Sequence, residues 1–102
     1  MTALNTLTIS AARDGLRRGD FTARELTEAC LAAIDRADTL NAVVTKTPEK
    51  ALAMAEAADA RLKKGAAPDL CGIPLGIKDL FCTEGVRSQA ASNILDAFTP
   101  PY

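Results

Sequence analysis

Apolar residues recur every three or four positions across residues 9–64, and that period disappears over residues 65–102. The periodic part predicts three helices. The first spans Ile9–Arg18, with Thr8 as its N-terminal cap and Gly19 just past its end. Ile9, Ala12 and Leu16 fall on one face, and Gly15 inside the helix costs about 1 kcal/mol relative to alanine. The second has the fullest local code, in "FTARELTEACLAAIDRA". Thr22 with Glu25 forms a capping box, and Phe21 is placed to staple onto Leu26. Leu26, Ala29, Cys30, Ala33, Ile34 and Ala37 then make one apolar stripe, in which Cys30 reads as a small core residue rather than a reactive thiol. The third helix opens at Thr47 and Pro48 and ends at Gly65. Met54, Ala58 and Leu62 share its inner face, flanked by Ala51 and Ala55, while Glu56, Asp59, Arg61 and Lys63 read as a solvated face.

Between the second and third helices, the β-branched content of "NAVVTKT" predicts a short strand at Ala42–Thr45. Beyond Gly65 the pattern is different. Pro68, Gly72, Pro74 and Gly76 forbid a helix and punctuate a loop. "LGIKDLF" reads as a strand centred on Leu75–Lys78, "CTEGVRSQAAS" as a loop turning at Gly85, and "NILDAF" as a short helix halted by Pro100 and Pro101. The chain thus divides into a helical part, 1–64, with one short strand, and a loop and strand part, 65–102.

Composition narrows the chemistry. The length of 102 residues suits one domain or a piece of one, and 48% hydrophobic with 25% charged residues is globular material. A net charge of −1 and only 4% aromatic residues argue against nucleic-acid binding by this segment. No apolar run is long enough to span a bilayer, and the first positive charge is Arg13, so no secretory n-region is expected. Cys30, Cys71 and Cys82 lack CxxC spacing, which with the absence of histidine points to a reduced, cytoplasmic chain without a metal site. The missing histidine also excludes histidine-based triads, leaving Lys, Asp, Glu, Cys or Tyr for any acid–base role.

Lys78 is the residue that stands out, an ammonium set inside the apolar segment "PLGIKDLF". In a strand, Leu75, Ile77 and Asp79 share one face and Gly76, Lys78 and Leu80 the other. Two readings follow. Lys78 is an edge-strand lysine that reaches solvent, or it is withdrawn from water and acts, as a neutral amine, as a general base. Gly76 would leave room beside it for a substrate or another backbone. Ser88 and Ser92 read as turn or cap residues, since nothing local activates either hydroxyl.

The stretch "GIPLGIKDLFCTEGVRSQAASNILDAFTPPY" resembles the amidase signature family, and more narrowly its tRNA-dependent amidotransferase branch. "GIPLGIKD" carries the broad likeness; "FCTEGVRSQAAS" and "ILDAFTPPY" carry the narrower one. The resemblance implies an α/β fold, with N-terminal helices packed on the start of a mixed β-sheet to which Leu75–Lys78 belongs. It implies a Ser–cis-Ser–Lys mechanism in which Lys78 is the general base. It implies release of ammonia from glutamine, used to convert misacylated glutamyl-tRNA(Gln) to glutaminyl-tRNA(Gln). The partners implied are companion subunits B and C, and the cofactors are ATP and Mg used by the complete complex. The serine-bearing signature is not found in these residues, so the chain by itself is expected to be an inactive N-terminal segment. Leu80 departs from the asparagine common at that position. A general amidase for small amides, and a non-catalytic helical binding protein, are the alternatives.

Overall fold

The computed structural model describes residues 3–65, 67–95 and 97–102. Three α-helices carry it: α1 (Ile9–Arg18), α2 (Ala23–Arg36) and α3 (Pro48–Lys63). Single 3₁₀ turns lie at Leu4–Thr6, Asp38–Leu40 and Asn93–Leu95. Contacts divide the chain into two units, one of Met1–Ala42 with Pro48–Pro74, the other of Val43–Thr47 with Leu75–Tyr102.

The caps of the first unit form as the sequence predicts. The Thr8 side chain accepts a hydrogen bond from the Ala11 amide at 3.1 Å. At the other end of α1, Gly19 takes a left-handed φ of 77°, which glycine adopts without steric cost. The Gly19 and Asp20 amides then donate back to the Leu16 and Gly15 carbonyls, satisfying two terminal acceptors. Thr22 accepts from the Glu25 amide at 3.0 Å, and its hydroxyl donates to the Glu25 carboxylate at 3.3 Å.

The core of this unit is Ala12, Leu16, Ala23, Leu26 and Ala55, with Phe21, Cys30, Ala58, Leu62 and Ile73 packed around it. Phe21 explains Gly15. A Cβ on Gly15 would lie 2.5 Å from the Phe21 ring, so the helix gives up propensity to admit an aromatic side chain. Burial pushes the Cys30 thiol pKa up, in keeping with a core role. The segment after α3 is tied back to this unit. Arg17 pairs with Asp69 at 2.7 Å, and a Cβ on Gly72 would come within 3.1 Å of both Ala23 and Leu16.

Several expectations are corrected. On α1, Ile9 is exposed, while Ala12, Gly15 and Leu16 are buried. On α3, Met54 is exposed and Ala55, Ala58 and Leu62 face the core. An alanine-lined face lets α3 approach α2 closely, whereas the larger Met54 would hold it off. The expected solvated face of α3 is only partly solvated. Asp59 accepts hydrogen bonds from the Ala23 amide at 2.7 Å and the Arg24 amide at 3.2 Å, and Glu56 pairs with Arg24. A carboxylate from one helix thus satisfies free amides at the positive end of another.

The strand expectations also fail. Among the described residues neither Ala42–Thr45 nor Leu75–Lys78 is a strand, and the mixed sheet is absent. Residues 73–78 have no helical assignment and no ladder partner. A strand needs a paired segment, and β-branched content supplies only the propensity for one. The single pairing contact among the described residues is an antiparallel bridge between Thr83 and Val86. Of the helix expected over "NILDAF", only the turn Asn93–Leu95 forms, and Asp96 lies outside the described residues.

Candidate functional site

Lys78 lies in the second unit, at the start of a turn. Its carbonyl accepts from the Phe81 amide at 3.0 Å, with Asp79 and Leu80 at the corner. Its side chain is exposed, as are Leu75, Gly76, Ile77, Leu80 and Phe81. The desolvation that the buried-base reading requires is therefore not present in this chain. Gly76 has open space around it, since an added Cβ would meet nothing within 4 Å. Room for an approaching group is thus available two residues from the lysine.

Asp79 is oriented differently from its neighbour. Its carboxylate accepts hydrogen bonds from the Gln89 amide at 3.1 Å and the Ala91 amide at 3.3 Å. Between and beside those amides, Ala90 and Ala91 have φ values of 49° and 56°. A left-handed conformation costs an ordinary residue about 1–2 kcal/mol, so two in succession need holding. The Ser92 amide closes the turn on the Gln89 carbonyl at 2.8 Å, and the Asp79 carboxylate adds a hold from outside it. Nothing in "SQAAS" signals it, because a sequence reading assigns left-handed positions to Gly or Asn rather than to paired alanines.

The loop is fastened at other points. Gly85 has a φ of 74° and sits in a turn closed by the Val86 amide and the Thr83 carbonyl. Ser88 is buried; its hydroxyl donates to the Val86 carbonyl at 3.0 Å and accepts from the Thr83 amide at 3.4 Å. Its own amide donates to the Phe98 carbonyl, and the Gly85 amide donates to that of Pro100, which is fully buried. Ser92 accepts from the Ile94 amide at 3.2 Å. Both serines are thus engaged as turn and cap groups. Among the described residues no cluster of three or more His, Cys, Asp or Glu side chains could hold a metal ion. No described helix is long and apolar enough to cross a membrane.

Comparison with known proteins gives a consistent result. The family model described as Amidase matches residues 25–102, a span that includes Lys78. The chain is 65% identical over its whole length to the A subunit of glutamyl-tRNA(Gln) amidotransferase from Jannaschia sp. (strain CCS1), covering 21% of that protein. It is 64% identical to the protein of the same name from Ruegeria sp. (strain TM1040), again over all of this chain and 21% of the relative. Against its namesake from Rhodopseudomonas palustris (strain BisA53) the identity is 60%, with the same coverage. The chain therefore spans about a fifth of the length of these curated relatives.

Proposed function

Because the chain belongs to the amidase family, we propose that it is the lysine-bearing N-terminal part of the glutaminase subunit of a tRNA-dependent amidotransferase. The observation that carries this reading is the likeness of the whole chain to proteins named as the A subunit of glutamyl-tRNA(Gln) amidotransferase. In the complete protein Lys78 takes a proton from a bridging serine, which in turn deprotonates a nucleophilic serine; both serines belong to later sequence. The nucleophile attacks the side-chain amide of glutamine, the C–N bond breaks, and ammonia leaves with a proton returned through the same relay. Water then hydrolyses the acyl-enzyme to glutamate. Companion subunits B and C receive the ammonia and amidate misacylated glutamyl-tRNA(Gln).

ATP with Mg would activate the glutamyl carboxylate in that complex. We assign both to other parts of the assembly. We also assign Leu75–Lys78 to a mixed sheet completed by later sequence, which would cover the exposed Leu75 and Ile77 and withdraw Lys78 from water. Action on tRNA argues for a cytoplasmic location of the whole protein.

In the full-length protein bound to its companion subunits, Lys78→Ala lowers glutamine hydrolysis by about 10²- to 10⁴-fold, the scale of a lost general base. Amidation supplied with free ammonium, which bypasses the glutaminase step, stays near the parent rate. A near-parent glutaminase rate in that variant would overturn the assignment. The 102-residue chain alone is expected to give no glutaminase turnover, which an ammonia-release assay on the purified chain checks.

A further inference from the structure

The two hydrogen bonds accepted by Asp79 bear directly on the lysine beside it. Before Lys78, residues 75–77 are exposed and have no described ladder to fix them. After it, the backbone enters the turn closed by the Phe81 amide and the Lys78 carbonyl. The corner residue of that turn is Asp79, and its carboxylate is bonded to the amides of Gln89 and Ala91, ten and twelve residues further on. These bonds connect the turn to a loop that is itself fastened through Ser88, Phe98 and Pro100.

We infer that Asp79 is a positioning residue for Lys78: its carboxylate ties the lysine-bearing turn to the 89–91 loop and so fixes where the amine starts from. This rests on the reading of Lys78 as the base. The left-handed pair Ala90–Ala91 supports it, since the turn they form, closed by the Ser92 amide on the Gln89 carbonyl at 2.8 Å, aims the Gln89 and Ala91 amides at the one Asp79 carboxylate. The carboxylate acts through the backbone and takes no proton.

The test uses the full-length protein with its companion subunits and glutamine as substrate, reading kcat and KM separately. Asp79→Ala lowers kcat by about 10²-fold, the usual cost of misplacing a reacting group by about an ångström, with KM changed by less than about twofold. Asp79→Asn keeps one acceptor oxygen but turns an NH₂ toward the second amide, so its kcat falls between parent and Asp79→Ala. The triple variant Asp79→Ala, Ala90→Gly, Ala91→Gly separates positioning from stability. Glycine accepts the left-handed conformation freely, so the thermal midpoint recovers while kcat stays low. Recovery of kcat together with the midpoint would mean that Asp79 serves the fold alone and would overturn the inference. A parent-like kcat in Asp79→Ala would do the same; should that variant not fold, a parent-like kcat in Asp79→Asn would overturn it instead. An inactive Lys78→Ala beside an active Asp79 variant removes only the positioning role. An active Lys78→Ala removes the base assignment, and the role of Asp79 with it.

Discussion

Leu26 and Phe81 bring comparable apolar surface to the chain and meet opposite fates. Leu26 is 3% exposed, in a core shared by α1, α2 and α3. Phe81 is 59% exposed, alongside Leu75 and Ile77 at 58% and 60%. The helical unit closes its core with its own residues, and each end of α1 and the start of α2 find partners nearby. In the second unit, turns, two serines and one carboxylate organise the backbone, yet the apolar side chains around Lys78 stay open. The difference teaches that the two units depend on sequence at different distances. The first closes its core with residues of Met1–Ala42 and Pro48–Pro74. The second holds its loops in shape while Leu75, Ile77 and Phe81 stay exposed.

The sharpest way to break this comparison is to truncate one residue from each side. Leu26→Ala costs about 2–5 kcal/mol in urea unfolding of this chain, the range for emptying a buried leucine site. Phe81→Ala costs no more than about 0.5 kcal/mol in the same chain, as an exposed substitution does. In the full-length protein the second figure rises to about 3–5 kcal/mol if later sequence covers the ring, and a persistently small value there would show that the surface stays open. Gly15→Ala comes next in size. Helix propensity alone favours it by about 1 kcal/mol, but overpacking against Phe21 costs about 1–3 kcal/mol, so a lowered thermal midpoint is expected. Asp59→Ala leaves the Thr22 cap but removes the carboxylate that accepts from the Ala23 and Arg24 amides, and costs about 1 kcal/mol, partly screened by salt. The smallest effect concerns Cys30 and is one of rate. In this chain the exposed Cys82 is alkylated first by iodoacetamide, followed by mass spectrometry. Burial raises the Cys30 pKa, so the native state keeps that thiol neutral as pH rises through the range where an unfolded chain ionises it. Its share of stability is thus present below the unfolded-state pKa and is lost as pH climbs toward the folded one.

The limits of α1, the capped start of α2 and the proline start of α3 were legible in the sequence because their determinants lie within four residues of each other. Thr22 and Glu25 are three apart, and Gly19 closes α1 at its own end. The inner face of α3 was not, because alanines at almost every turn leave its amphipathic pattern weak and Met54 misleads it. Asp59 was missed because the amides it caps are 35 and 36 residues away. The strands failed for the same reason in stronger form, as pairing partners are not written into the strand itself. At the site, Lys78 was conspicuous as a charge among apolar neighbours, whereas the role of Asp79 depends on a backbone conformation that two alanines do not advertise.

The bond from Asp59 to the start of α2 has a consequence for motion. The amide protons of Ala23 and Arg24 sit at a helix terminus, where exchange with solvent is ordinarily fast because ends fray. Here both are held by a residue of another helix. Their deuterium uptake therefore reports the separation of α3 from α2 rather than the fraying of α2. Two terminal amides become a clock for the opening of the whole helical hairpin.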